Sequence, residues 1–206
     1  MRSAFAVTGA ALPGWPDPHG GGSPADDEYS RVSNPGRYLI LGARVEAWLE
    51  ALTGLGLAVI ERDSAPEWVA GSGSGPSRAD RVVPRAAGAL SLVVARSRLG
   101  DVDDAVVTIG VGDPAVRVTW VPDCGCDACD AGSEWELDRL DEYLLGIVSG
   151  TFRQLRRKDR MIEVLNDNGW SAQGLRRRDR VNAILADPTG WDELSGNSWL
   201  APAGSE

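Results

Sequence analysis

The sequence predicts a single α+β domain in which an antiparallel sheet of about five strands has helices packed on one face. Short strand-like apolar runs cluster between residues 81 and 121 instead of alternating with helices. Segments with helical periodicity flank this cluster, over residues 36–53 and 133–150. The length of 206 residues is compatible with one domain and its tails, because domains contain about 150 residues.

The first predicted element is the helix over residues 36–53. Residues 1–36 are rich in proline and glycine, show no apolar period, and are interpreted as an irregular N-terminal lead-in. The helix carries apolar side chains three and four positions apart that form one stripe: Tyr38, Leu41, Val45, Trp48, Leu49 and Leu52. Residues 57–62 then predict a short strand, and residues 71–77 predict a glycine- and serine-rich loop.

The strands of the sheet follow between residues 81 and 121. The clearest hairpin joins residues 107–111 to residues 116–120, because the Gly112-Asp113-Pro114 segment supplies turn residues. A second helix is predicted to start at Ser133, since Ser133 and Glu136 have the spacing of a capping box.

The C-terminal third is less regular. Residues 151–165 fit either a hairpin or a helix, and the hairpin is favoured. Residues 175–186 predict a third helix that ends before a proline. The predicted organisation is therefore a lead-in at 1–36, a single α+β domain at 37–186, and a C-terminal tail at 187–206 that carries two tryptophans.

Composition excludes several classes of function. The net charge of -9 and the pI near 4.7 argue against general binding to nucleic-acid backbones. No run reaches the ~18 apolar residues that a membrane helix needs, and no secretory signal is recognised, so the predicted compartment is the cytoplasm. In that compartment the three cysteines are expected to be thiols or metal thiolates rather than disulfides.

The densest group of reactive side chains lies at 123–130, which contains Cys124, Cys126 and Cys129. Zinc binds thiolates in a tetrahedron, and a Cys-x-x-Cys spacing places two sulfurs on one turn. The three cysteines are therefore the predicted metal ligands, and zinc is the candidate cofactor. The fourth ligand would come from water, from another chain, or from one of four residues: Asp123, Asp127, Asp130 and His19.

Two other interpretations of this loop stay open. Cys126 and Cys129 form a redox pair if the following helix N-terminus stabilises a thiolate, although the nearby carboxylates oppose this by raising the thiol pKa. The loop is also compatible with a tight structural turn. In that case the cysteines pack as small apolar side chains, and the aspartates accept hydrogen bonds from backbone amides.

The string Cys124-Gly125-Cys126-Asp127-Ala128-Cys129-Asp130, followed later by Gly169-Trp170-Ser171-Ala172, resembles an uncharacterised family of actinobacterial proteins known only as a domain of unknown function. The resemblance extends from the first helix to about residue 180. It implies an actinobacterial origin and assigns no activity.

A basic segment stands out in the acidic chain, because residues 151–180 contain nine basic and four acidic residues. We expect these cations to face the acidic helix around Asp138, Asp141 and Glu142. Contact with nucleic acid, with Trp170 stacking on bases, is the alternative. The basic side chains are Arg153, Arg156, Arg157, Lys158, Arg160, Arg176, Arg177, Arg178 and Arg180.

Three classes of function follow. A non-catalytic interaction or regulatory domain with an unidentified protein partner is favoured, because no set of acid, base and nucleophile is recognised. The second class is a zinc-dependent enzyme with its metal at Cys124, Cys126 and Cys129. The third is a nucleic-acid-associated regulator that uses the arginines of residues 151–180.

Overall fold

The computed structural model describes residues 1–69, 78–166, 169–175 and 177–200. The loop predicted at residues 71–77 lies outside the described residues. The described part contains four α-helices and two antiparallel sheets, which confirms the predicted α+β class. Contacts divide the chain into two units, residues 1–85 with 91–141, and residues 86–90 with 142–206. The predicted domain limits at residues 36 and 186 stay a prediction.

The first unit is built on a five-stranded antiparallel sheet in which spatial order follows chain order. Its strands are β1 (Ala58–Glu61), β2 (Arg78–Pro84), β3 (Leu92–Leu99), β4 (Val102–Val111) and β5 (Val116–Val121). The predicted hairpin is confirmed as the β4–β5 pair, with Val107 opposite Val121. Every residue of β3 from Leu92 to Arg96 is buried, so both faces of this central strand are covered.

The helices are α1 (Arg2–Thr8), α2 (Leu39–Gly54), α3 (Gly132–Ser149) and α4 (Arg178–Ala186). Helix α2 is the predicted first helix and packs on β1 and β4. Helix α1 falls within the predicted lead-in, where seven residues are too few to show a helical period. It contacts α2 through Thr8, whose hydroxyl donates to the carbonyl of Ala43 at 2.8 Å. None of the described helices is long and apolar enough to span a bilayer.

The predicted capping box of α3 is wrong, because its serine is used elsewhere. Ser133 lies inside the helix, where its Oγ accepts from the Trp15 amide at 3.0 Å and donates to the Trp15 carbonyl at 3.1 Å. The Gly132 amide instead donates to the Asp130 carboxylate at 2.9 Å. A contact across 118 residues has replaced the local pairing that the sequence pattern suggested.

A buried ion cluster ties α2 to the sheet. Arg96 on β3 and Asp80 on β2 are each 1% exposed, and their side chains lie 2.8 Å apart. Arg96 also pairs with Glu46 of α2, and Arg62 lies within 3.0 Å of both carboxylates. The second oxygen of Asp80 accepts from the amide of Asp63 at 3.1 Å. Each oxygen of the Asp80 carboxylate therefore has a partner inside the fold.

The second unit contains a four-stranded antiparallel sheet in the order β8-β7-β6-β9. Its strands are β6 (Arg153–Arg157), β7 (Arg160–Asn166), β8 (Gly169–Gln173) and β9 (Asp192–Ser195). The hairpin favoured for residues 151–165 is confirmed as β6–β7, and helix α4 as the predicted third helix.

Strands β8 and β9 extend the structure beyond the predicted single sheet. They have five and four residues, and their half-buried apolar side chains number two in β8, Trp170 and Ala172, and one in β9, Leu194. So few positions do not establish a strand period in the sequence. Strand β9 falls within the predicted tail and pairs with β6, which lies about 40 residues earlier in the chain. Leu155, Ile162 and Val181 form the apolar core of this unit.

Candidate metal centre

The cysteine loop, defined as residues 123–130, connects β5 to α3. Gly125 within the loop has φ +68°, and a Cβ there would lie 2.6 Å from the Leu99 Cδ2. Gly132, just beyond the loop, has φ +87°, and a Cβ there would lie 2.6 Å from the Asp17 amide nitrogen. Both positions therefore require glycine, since any other residue would meet backbone strain and a steric clash.

The three cysteine side chains converge. Their Sγ atoms all lie within 4.8 Å of one another, and the Sγ atoms of Cys124 and Cys126 are 3.1 Å apart. Cys126 is 8% exposed, whereas Cys124 and Cys129 are exposed to solvent. All three are free thiols. The cluster thus has one buried sulfur at its base and two sulfurs that solvent can reach.

The neighbouring thiols and the loop amides favour a thiolate at Cys126. Burial raises the pKa of this thiol, but hydrogen bonds from the other two thiols and from the amides of Ala128 and Cys129 outweigh burial and lower the pKa. The same crowding raises the pKa of Cys129 to about 12, because its thiol donates to Cys124 and Cys126 and faces their charge. Three thiolates at this separation repel each other unless a cation lies between them.

Asp127 anchors the loop to the lead-in rather than adding a ligand to the cluster. Its carboxylate accepts from the Ser33 hydroxyl at 2.6 Å, from the Ser33 amide at 2.9 Å and from the Arg31 guanidinium at 2.8 Å. The Asp127 amide in turn donates to the Arg31 carbonyl at 2.8 Å. These bonds from Ser33, together with Arg31, hold the pKa of Asp127 far below its usual range.

Asp130 forms a second anchor. Its carboxylate is 0% exposed and lies 2.8 Å from Arg37. It accepts from the Trp15 indole nitrogen at 2.8 Å and from the Gly132 amide at 2.9 Å. The Arg37 guanidinium also lies over the rings of Trp15 and Tyr38, 5.6 and 5.0 Å from their centroids. The carboxylate is therefore neutralised by its own surroundings.

The remaining proposed fourth ligands are also engaged. Asp123 is paired with Arg139 at 2.7 Å, and the His19 ring lies 3.4 Å from Glu28 and 3.7 Å from Asp17. In the part of the chain that the structure describes, the group of metal-ligating atoms consists of the three cysteines alone. The structure thus brings together Cys124, Cys126 and Cys129 and leaves Asp123, Asp127, Asp130 and His19 outside the cluster.

Sequence reasoning missed the residues that shape this loop. Trp15, Arg31, Ser33 and Arg37 belong to the segments at and beside the predicted irregular lead-in, and they bond to aspartates 93 to 115 residues away. Polar side chains in a proline- and glycine-rich segment give no periodic signal. The only available sign was the interpretation in which loop aspartates accept bonds from backbone amides, which holds for Asp127 and Asp130.

Glu136 is a second group that the sequence pattern misassigned. It is 4% exposed, and its buried Oε2 has no hydrogen-bond partner. Burial raises the pKa of Glu136 to about 7. The positive charge of Arg139 opposes this shift, and the negative charges of Asp123 and Asp130 add to it. A carboxyl group predicted to cap a helix thus lies buried beside the loop aspartates and titrates near neutral pH.

The basic segment at 151–180 does not present all its arginines as a free surface. Arg153 pairs with Glu193 of β9 at 2.7 Å, and Arg177 pairs with Asp179 at 3.0 Å. Asp141, one of the acidic residues expected to face these arginines, instead pairs with Arg44 of α2. Arg176 lies outside the described residues. The expected pairing with the acidic helix is therefore wrong for Asp141.

The fold and the site define the class of protein: an α+β protein with a cluster of three free thiols between a sheet and a helix. The chain belongs to the family of unknown function DUF6226, whose family model matches residues 1–200. This confirms the resemblance to a family of unknown function. No curated protein and no solved structure matches the chain.

Proposed function

We propose that this protein binds one zinc ion through Cys124, Cys126 and Cys129 and acts as an interaction or regulatory domain. The proposal rests on the convergence of three sulfur atoms within 4.8 Å of one another. Thiolates at this separation suit a thiophilic divalent cation, whose charge offsets their mutual repulsion.

The surrounding hydrogen bonds support a preformed ligand turn. Hydrogen bonds from the thiols of Cys124 and Cys129, and from the amides of Ala128 and Cys129, lower the pKa of Cys126. The two anchors at Asp127 and Asp130 hold the loop from both sides, and groups that orient metal ligands contribute to affinity in the same way. Because the loop is held by other contacts, the metal's binding energy is not needed to shape it.

The proposed role is non-catalytic because the two buried carboxylates of the loop act as anchors. Asp127 and Asp130 are neutralised by Arg31 and Arg37, so neither carboxylate is left to act as a base. The zinc-dependent enzyme and the nucleic-acid-associated regulator stay predictions from the sequence, and the contacts of the loop favour neither.

Elemental analysis of the untagged protein, purified under reducing conditions, tests the proposal. We expect about one zinc per chain, lost in Cys126→Ser, because the variant keeps only two of the three protein ligands of the proposed site. Asp179→Asn is the matched control, since this exposed residue pairs with Arg177 in the second unit and should leave the metal content unchanged.

Cobalt provides a measurement that does not depend on the metal present during purification. Titration of the metal-free wild-type chain with Co²⁺ should produce thiolate-to-cobalt charge-transfer absorption at about one equivalent. Absence of both zinc and this absorption in a chain with a native circular dichroism spectrum would show that the cluster is a structural turn or a redox pair.

A further inference from the structure

We infer that the fourth ligand of this metal centre is a histidine side chain on a basic peptide segment of a partner protein, and that Trp120 and Trp135 form the docking surface for that segment. The inference rests on the proposed function, since it assigns the coordination position that three thiolates leave open.

The cysteine cluster is an incomplete ligand set for zinc. Zinc in structural sites is four-coordinate, and the cluster supplies three sulfur atoms. The chain has three cysteines and one histidine, and that histidine, His19, lies next to Asp17 and Glu28. The carboxylates of Asp127 and Asp130 are held by arginines. A fourth ligand from outside the chain completes the tetrahedron without breaking any of these contacts.

Two exposed tryptophans flank the cysteine loop in the sequence. Trp120 is 38% exposed and Trp135 is 62% exposed. The Trp120 indole donates to the Asp123 carbonyl at 2.7 Å, so it lies at the start of the cysteine loop. Arg139, one helical turn after Trp135, reaches the Asp123 carboxylate at 2.7 Å. Trp120 therefore contacts the cysteine loop directly, and Trp135 lies on the same side of α3 as Arg139, which contacts the loop.

The charge of the exposed residues on α3 and of the metal cluster specifies the chemistry of the partner. Glu134 and Asp138 are exposed on α3, the helix that follows the loop, and three thiolates with one Zn²⁺ carry a further net charge of about -1. A fourth thiolate would add to this negative charge, whereas a neutral imidazole does not. Basic residues beside the histidine are attracted to the exposed carboxylates.

The tryptophans suit the same basic segment. The Arg117 guanidinium already lies 4.5 Å from the centre of the Trp120 ring, which shows that this ring accepts a guanidinium on its face. Trp135 presents its larger exposed area in the first turn of α3. Lysine or arginine side chains of the partner can stack there by the same cation–π attraction.

The experiment uses the full chain loaded with Co²⁺ and three probes: the acetylated and amidated peptide Arg-Lys-His-Lys-Arg, the same peptide with alanine in place of histidine, and free imidazole. We expect the histidine peptide to change the cobalt ligand-field bands and to bind about tenfold more tightly than the alanine peptide, because only the former supplies a ligand. Its binding should weaken as salt concentration increases.

Two substitutions on α3 test whether Trp135 belongs to the docking surface. Trp135→Ala should weaken binding of the histidine peptide about threefold, as expected for loss of one exposed cation–π contact, while the cobalt charge-transfer absorption is retained. Leu145→Ala is the matched control, because Leu145 is also exposed on α3, at 57%, but lies nearly three turns from Trp135. It should leave peptide binding unchanged.

The outcomes separate the two proposals. Loss of cobalt absorption in the wild-type chain would overturn the metal centre itself. Normal cobalt absorption with equal affinity for the histidine and alanine peptides would overturn the histidine ligand and leave the metal centre standing. Free imidazole that binds as tightly as the peptide, or Trp135→Ala that binds it as tightly as the wild type, would overturn the docking surface.

Discussion

The first unit contains two polar clusters that differ in which side chains they leave exposed to solvent. In the buried ion cluster, Arg96 and Asp80 are 1% exposed, and both oxygens of Asp80 are bonded within the fold. In the cysteine loop, the carboxylates of Asp127 and Asp130 are likewise bonded to arginines, but two of the three thiols remain exposed. The carboxylates of Asp80, Asp127 and Asp130 are thus structural in both clusters, and the second cluster in addition presents the thiols of Cys124 and Cys129 to solvent.

The largest effect is expected from breaking the buried ion cluster. Arg96→Met leaves Asp80 buried without its closest cation, so the free energy of unfolding should fall by about 3–5 kcal/mol. Arg62→Met is the control: Arg62 is 45% exposed, and its loss should lower stability by about 1 kcal/mol or less. Urea denaturation at pH 7 measures both. Equal effects of the two substitutions would mean that burial does not set the strength of this cluster.

The next effect concerns the pH dependence of stability at Glu136. Its pKa is raised from 4.5 to about 7 in the folded chain, so the folded state binds the proton more tightly than the unfolded state. The contribution of Glu136 to the free energy of unfolding is therefore greatest below pH 4.5. It falls by up to about 3 kcal/mol as the pH rises towards 7. Asp80 has a lowered pKa and behaves in the opposite sense, losing its contribution as the pH falls.

Glu136→Gln tests this difference. The variant should be more stable than the wild type at pH 8, by about 1–3 kcal/mol, and the difference should shrink towards pH 5 as the wild-type carboxyl group becomes protonated. Glu134→Gln, at an exposed position on the same helix, should show no such change with pH. Denaturation curves of the metal-free chains at both pH values provide the measurement. A pH-independent difference would show that Glu136 is ionised throughout.

The smallest expected effect is a change in zinc affinity at the cysteine loop. Asp127→Asn keeps the size of the side chain but removes the charge that pairs with Arg31, so zinc affinity should fall about 10- to 100-fold. Asp123→Asn is the control, since Asp123 is 57% exposed and its affinity change should be about twofold at most. Competition with a chromophoric zinc chelator measures both. If the wild type and Asp127→Asn bind zinc equally tightly, the contacts of Asp127 hold the loop without contributing to zinc affinity.

Much of the fold follows from local patterns. The apolar stripe of α2, the turn residues between β4 and β5, and the hairpin at β6–β7 are signals within about 20 residues, and the structure confirms each of them. The elements that were missed, α1, β8 and β9, are short, and most of their residues are not buried. Short elements have too few residues for a period to be recognised and depend on partners elsewhere in the chain.

The cysteine loop shows the same division between local and distant information. The sequence by itself determined the α+β class and the three cysteines as a group, because their spacing of two and three residues forces the sulfur atoms onto one turn. Only the tertiary structure decided the roles of the acidic residues. Asp127 and Asp130 meet Arg31 and Arg37 across 93 or more residues of chain, so they became anchors instead of ligands.

Glu136 makes the physical reason plain. Its spacing from Ser133 matches a capping box, but Trp15 takes the serine hydroxyl, and packing buries the glutamate with one unpaired oxygen. A carboxyl group acts as ligand, anchor or buried acid according to its desolvation and to the cations within reach. Both quantities are set by residues that are distant in sequence and adjacent only after folding.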